Sequence, residues 1–214
     1  MHRLKRILCV MAAAAMIISG SGYAVHAGER LGAREVIAPA QAVYASVSES
    51  PGHSGHHGYV VFSDRNQIKS MDMRQRTQVT EEQLREYLQR FPYLLGIEGA
   101  LIEAQDRYNV NLILMLAIIR LESGNGRSAI ARNQNNLGGI RAPAGSVTAW
   151  RSFDSQRDSV MFIGRLLGQQ YLTEGGRFFN GYTLPDINRL YAESSCWAGK
   201  VRDIMYEIQF NLSA

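Results

Sequence analysis

Residues 111–141, NLILMLAIIRLESGNGRSAIARNQNNLGGIR, decide how this chain is read. Residues 112–121 form an apolar run long enough for about three helical turns. A helix that is apolar on most faces belongs in the centre of a domain. After Glu122 come Ser123, Gly124, Asn125 and Gly126. Glycine adopts the positive φ that closes a helix, so the helix is expected to stop within a residue or two of Glu122. A carboxylate in that last turn faces the negative end of the helix dipole and an apolar environment. Both disfavour its ionised form and push it towards the range where a carboxylic acid donates a proton near neutral pH. The same spacing is met by an ordinary glutamate fraying into solvent at a helix end.

The segment LESGNGRSAIARNQNNLGGI resembles the active-site core of bacterial peptidoglycan N-acetylglucosaminidases, the glucosaminidase domains of glycoside hydrolase family 73. In that family the glutamate of an E-S-G-x-G-x-S motif is the general acid, and here the motif puts it at Glu122. The following N-N-L-x-G-I element matches Asn135, Asn136, Leu137, Gly139 and Ile140. Further along, LYAESSCWAGKVRDI is similar to the family's Y-A-x-x-x-x-Y-A-x-K-[IV] element. Tyr191 falls on the tyrosine of the active-site groove, and Trp197 stands where the family has a second aromatic. The resemblance covers roughly residues 80–210. It implies a mainly α, lysozyme-like fold: a helical domain with a small, reduced β-hairpin beside the active-site cleft.

The N-terminus has the order of a secretory signal. Arg3, Lys5 and Arg6 precede an apolar run, and small residues lead to a cleavage point after Ala27. An uncleaved anchor is the other possibility, since residues 7–25 just suffice to span a bilayer. Cleavage would take the net charge from +4 to +1, because residues 1–27 carry three basic side chains and no acid. The basic character belongs largely to the signal, so nothing argues for nucleic acid as a partner. One cysteine, Cys196, then remains; it forms no internal disulfide and reads as a small buried residue.

Residues 28–78 read as a flexible leader. Their His-rich run (His53, His56, His57) is flanked by glycine and lacks acidic or thiol partners, which favours a solvated linker over a metal site. A catalytic domain over residues 79–214 follows. Thr80 and Gln83 have the capping-box spacing, and Leu84, Tyr87, Leu88 and Phe91 give an amphipathic helix ending before Pro92. Residues 96–108 make a second helix, with Ile97, Leu101, Ala104 and Tyr108 inward and Glu98, Glu103 and Asp106 on its polar side. Val147, Thr148, Ala149 and Trp150 read as a strand of the hairpin. Asp154 or Ser155 caps a long helix over residues 156–171, and two further helices complete the domain.

Glycosidic hydrolysis needs a proton on the leaving oxygen and stabilisation of an oxocarbenium-like state, and many glycosidases meet the second need with another carboxylate. The resemblance implies one in the hairpin, yet residues 123–153 contain no Asp or Glu. Three explanations stand: the substrate's own 2-acetamido group assists, Asp154 or Asp158 approaches, or the cleft binds sugar without cutting it. Tyr191 orients the reacting ring or is simply a core tyrosine. One of Asn135 and Asn136 shapes the turn while the other lines the cleft. Trp150 and Phe153 read as sugar-stacking platforms or as core.

The expected function is that of a secreted, cell-wall hydrolase cutting between N-acetylglucosamine and N-acetylmuramic acid, with Glu122 as acid. It would act as a monomer on peptidoglycan glycan strands, without metal or cofactor and without stable membrane insertion once the signal is gone. A lytic transglycosylase or muramidase on the same fold, or a non-catalytic wall-binding or assembly protein, are the competing readings.

Overall fold

The computed structural model describes residues 64–212. The signal, the rest of the leader and its histidines lie outside the described residues. In chain order the helices are α1 (Arg65–Ser70), α2 (Glu81–Leu88), α3 (Glu98–Tyr108), α4 (Leu112–Ser123), α5 (Ala129–Gln134), α6 (Gln156–Leu166), α7 (Leu184–Tyr191) and α8 (Trp197–Leu212). A 3₁₀ turn, Pro92–Leu94, precedes α3, and a π turn, Leu167–Tyr171, extends α6. The mainly α architecture is therefore as the sequence implies.

The chain is organised around α4. All eight residues from Leu112 to Ile119 are buried, and the helix packs on α8 and α3. Asn111 caps its start, accepting a hydrogen bond from the Leu114 N–H at 2.9 Å. The Asn111 amide also donates to the Gln75 carbonyl at 2.7 Å and to Thr77 Oγ1 at 3.0 Å, which ties the segment before α2 to the centre. Gly124 ends the helix in the left-handed conformation, φ 59°. The one charged group leaving this apolar centre sideways is Arg120. Its guanidinium donates to the Tyr87 hydroxyl on α2 and to Glu207 on α8, and lies 4.1 Å above the Phe91 ring. Three helices are thus cross-linked next to the turn that carries Glu122.

The capping box at the start of α2 forms as expected, Thr80 N–H donating to Gln83 Oε1 at 2.9 Å and Gln83 N–H to Thr80 Oγ1 at 3.2 Å. The long helix over 156–171 also forms, with Val160, Ile163, Leu166, Leu167 and Tyr171 inward. Ser155, and not Asp154, is its N-cap. Its last turn widens to a π turn where Gly168 meets α3: a Cβ there would lie 2.2 Å from the Tyr108 carbonyl oxygen.

Four expectations are corrected. The packed unit begins before residue 79, because Ile68, Met71 and Met73 are buried in the core and Met73 bonds backbone to backbone with Tyr182 and Asn111. Glu98 is buried rather than solvated, in the first turn of α3. The hairpin keeps its shape without a regular strand: a single antiparallel bridge joins Arg141 to Trp150, and Val147 is fully exposed, with nothing to pack against. Cys196 is exposed, because it falls in the turn entering α8 rather than on the helix's inner face.

Candidate active site

Glu122 occupies the last turn of α4, and the loop after it is rigidly built. Ser123 Oγ donates to the Ile119 carbonyl at 2.6 Å and accepts from the Gly126 N–H at 2.7 Å. Arg120 Nε donates to Asn125 Oδ1 at 2.9 Å, holding Asn125 in the left-handed region at φ 58°. Gly126 has φ 79° and lies so close to Tyr93 that a Cβ would come within 2.8 Å of it. Only glycine satisfies both demands. Ser128 then caps α5 by accepting from the Ala131 N–H.

Across from this loop stands the α7–α8 corner, fixed by Asn188. Its amide donates to the carbonyls of Ala192 and Ser194, and its oxygen accepts the Ala198 N–H at 2.7 Å. This places Trp197, the first residue of α8, so that its indole N–H donates to Glu122 Oε1 at 3.0 Å. The indole stacks on Tyr191 with ring centroids 4.5 Å apart, and Tyr191 packs on Tyr171 at 5.5 Å. Glu122 is thus a mostly buried carboxyl against an aromatic wall.

Burial pushes its pKa up to about 7, against the opposing pull of the Trp197 hydrogen bond and the positive charge of Lys200. At neutral pH a substantial fraction of Glu122 therefore carries a proton. Tyr191 is held well above the ordinary phenol range, first by burial and then by the nearby charge of Glu122. It stays a neutral hydroxyl beside the carboxyl. The charged side chain whose field lowers the Glu122 pKa is Lys200.

The sequence profile described as mannosyl-glycoprotein endo-beta-N-acetylglucosaminidase (glucosaminidase) matches residues 98–210, more than half of the chain. The chain belongs to the glucosaminidase family. It is 31% identical over 121 residues to a provisionally named endo-beta-N-acetylglucosaminidase of Streptococcus pneumoniae serotype 4, covering 56% of this chain. It spans only 18% of that relative's length, and 17% of the corresponding protein of S. pneumoniae strain R6. The crystal structure of S. aureus autolysin E has the same fold, with a TM-score of 0.51 at 18% identity over 69% of this chain and 73% of that one. A catalytic mutant of that autolysin was crystallised with the disaccharide NAG-NAM.

Against the glucosaminidase pattern, the structure brings Glu122 and Tyr191 together but separates the other candidates from them. Asn136 is buried, and its amide is spent on the backbone: it donates to the carbonyls of Ile140 and Arg151 at 2.8 Å each and accepts the Ile140 N–H at 2.8 Å. Asn135 caps α5 at φ 51° and donates to the carbonyls of Phe153 and Asp154 at 3.1 and 3.2 Å. Both asparagines therefore shape the hairpin base, which corrects the division of labour expected between them. Trp150 sits in the hairpin under the Arg141 guanidinium at 4.6 Å. Phe153 packs on Phe162 and, with Asp154 and Asp158, lines a cleft of about 340 Å³ against Tyr108 and Arg165 that includes neither Glu122 nor Tyr191. Asp158 is engaged at the helix start, accepting the Ser155 hydroxyl at 2.6 Å.

Three residues of the site escaped the sequence reading: Trp197 as the partner of Glu122, Lys200 as its charge neighbour, and Asn188 as the group that positions both. Lys200 lay inside the family's terminal motif, the one signal that pointed to it. Among the described residues no group of three His, Cys, Asp or Glu side chains is placed to hold a metal ion.

Proposed function

We propose that this chain is a cell-wall glycosidase that hydrolyses the β-1,4 bond between N-acetylglucosamine and N-acetylmuramic acid of peptidoglycan, with Glu122 as general acid. The observation that carries the reading is a carboxyl whose environment keeps it part-protonated at neutral pH, locked in one orientation by Trp197. Family membership supports the reaction class, and the NAG-NAM complex of autolysin E supports the substrate class. A secreted protein with its signal removed after Ala27 is part of the same proposal.

The indole N–H is a donor only, so Glu122 Oε1 must be the acceptor oxygen and the transferable proton resides on Oε2. In the first step that proton passes to the leaving glycosidic oxygen while the C1–O bond breaks. Residues 123–153, which include the hairpin, hold no Asp or Glu, so the 2-acetamido carbonyl oxygen of the sugar forms the new bond to C1 and carries the developing charge. Water then attacks C1, returning one proton to the Glu122 carboxylate and opening the acetamido ring. Tyr191, a neutral hydroxyl beside the carboxyl, donates a hydrogen bond to the reacting ring. A lytic transglycosylase would need the same single acid, so the chain end produced is what separates the two reactions.

The test is digestion of purified peptidoglycan by the wild type and by Glu122→Gln, followed by borohydride reduction and mass spectrometry. Reduced glucosamine ends from the wild type alone support the proposal. Reduced or anhydro-muramic ends would assign the muramidase or transglycosylase reaction. Glycan retention without any cleavage would make the chain a wall-binding protein.

A further inference from the structure

Away from Glu122, a cavity of about 580 Å³ opens between α1, α7 and α8. Its floor is apolar and small: Leu184, Pro185, Ala192, Ala198 and Gly199. Three cations from three different helices stand round it, Lys69 on α1, Arg189 on α7 and Arg202 on α8, against one acid, Glu193. Among the described residues Lys69 and Arg189 have neither an ion pair nor a hydrogen bond, and Arg202 bonds only its sequence neighbour Asp203.

The two unpaired cations, Lys69 and Arg189, beside a concave apolar surface select for a negatively charged ligand that also buries apolar groups. The floor has no aromatic ring on which a sugar could stack, so this is not an extension of a glycan groove. Its volume lies within the range of sites for small organic ligands and short peptides. Small floor residues leave room for a backbone and methyl-sized side chains, while the cations meet carboxylates.

We propose that the α1–α7–α8 cleft is a second binding site, which takes a short acidic peptide with small side chains. The peptides that cross-link cell-wall glycan have that chemistry, and their role as source rests on the glycosidase reading; the site itself does not. The corner held by Asn188 lies between this cleft and Glu122, since Tyr191 and Trp197 face the carboxyl while Ala192 and Ala198 face the cleft. A wall strand cut at Glu122 would present its peptide on the neighbouring face.

The test uses the full chain carrying Glu122→Gln, so that binding is read without turnover. An acetylated Ala-Glu-Ala-Glu peptide and its Ala-Gln-Ala-Gln counterpart are titrated against it by amide NMR. The proposal expects the acidic peptide to shift the amides of Ala192, Ala198 and Gly199, to bind about tenfold more tightly than the neutral one, and to weaken as salt rises. Arg189→Glu and Lys69→Glu, made separately in the same background, should each cost about tenfold in affinity with the fold intact by amide dispersion. Equal binding of both peptides, equal shifts from inorganic phosphate, or shifts centred on Gly126 would overturn it. So would NOEs from residues before Asp64 onto the cleft, which would make the chain's own leader the occupant. Because no step requires hydrolysis, these outcomes are independent of whether the digestion above succeeds.

Discussion

Replacing Glu122 by Gln should abolish cleavage and, at neutral pH, make the protein more stable. The folded-state pKa is raised from the ordinary 4.5 to about 7, so the folded chain holds this proton more tightly than the unfolded chain. Stability from this group is fully present below the unfolded value and is lost as pH rises to the folded one. At about 1.4 kcal/mol per pH unit, the whole loss comes to about 3 kcal/mol, of which roughly 2.5 falls between about pH 5 and pH 8. Gln keeps the shape and an oxygen for the Trp197 N–H, but cannot ionise. Urea unfolding of both proteins across that range should show a gap that widens by about 2–2.5 kcal/mol with rising pH. A gap that stays constant would mean Glu122 ionises normally in the fold, and the argument from burial would be wrong.

Trp197→Phe removes the hydrogen bond that opposes burial, so the alkaline limb of the pH–rate profile should move to higher pH while kcat falls; an unmoved limb counts against the link. Asp154→Asn and Asp158→Asn should leave kcat within about threefold of wild type on peptidoglycan, whereas a hundredfold loss in either would restore a second carboxylate to the mechanism. Arg120→Met should destabilise by about 2–3 kcal/mol in chemical unfolding, towards the low end for breaking an internal ion pair because Glu207 remains partly solvated. Gly126→Ala should cost about 1–3 kcal/mol and lower activity, since it meets both an unfavourable φ and the Tyr93 side chain.

Much of this was legible in the chain. The apolar run of α4, its Gly124 stop and the Thr80–Gln83 capping box are local signals, and local signals survive into the fold. The absence of acids from residues 123–153 was equally plain in the chain, and it is what made substrate assistance one of the readings. What the sequence hid is long-range. Trp197 is 75 residues from Glu122, and its bond exists only because Asn188 folds the α7–α8 corner back onto α4. The start of the packed unit was missed because α1 has six residues and one buried position, too few to show periodicity among Arg and Lys neighbours. The asparagines were misread because a side-chain amide satisfies a buried carbonyl as readily as a sugar hydroxyl, and only the tertiary path of residues 140–154 shows which.

The protonation state of Glu122 is measured directly by a carboxyl-carbon NMR titration alongside the pH dependence of kcat/KM on peptidoglycan. The expected result is a midpoint near 7 that coincides with the alkaline fall in rate. A midpoint in the ordinary glutamate range, or a rate that rises through it, would contradict the assignment of Glu122 as the proton donor.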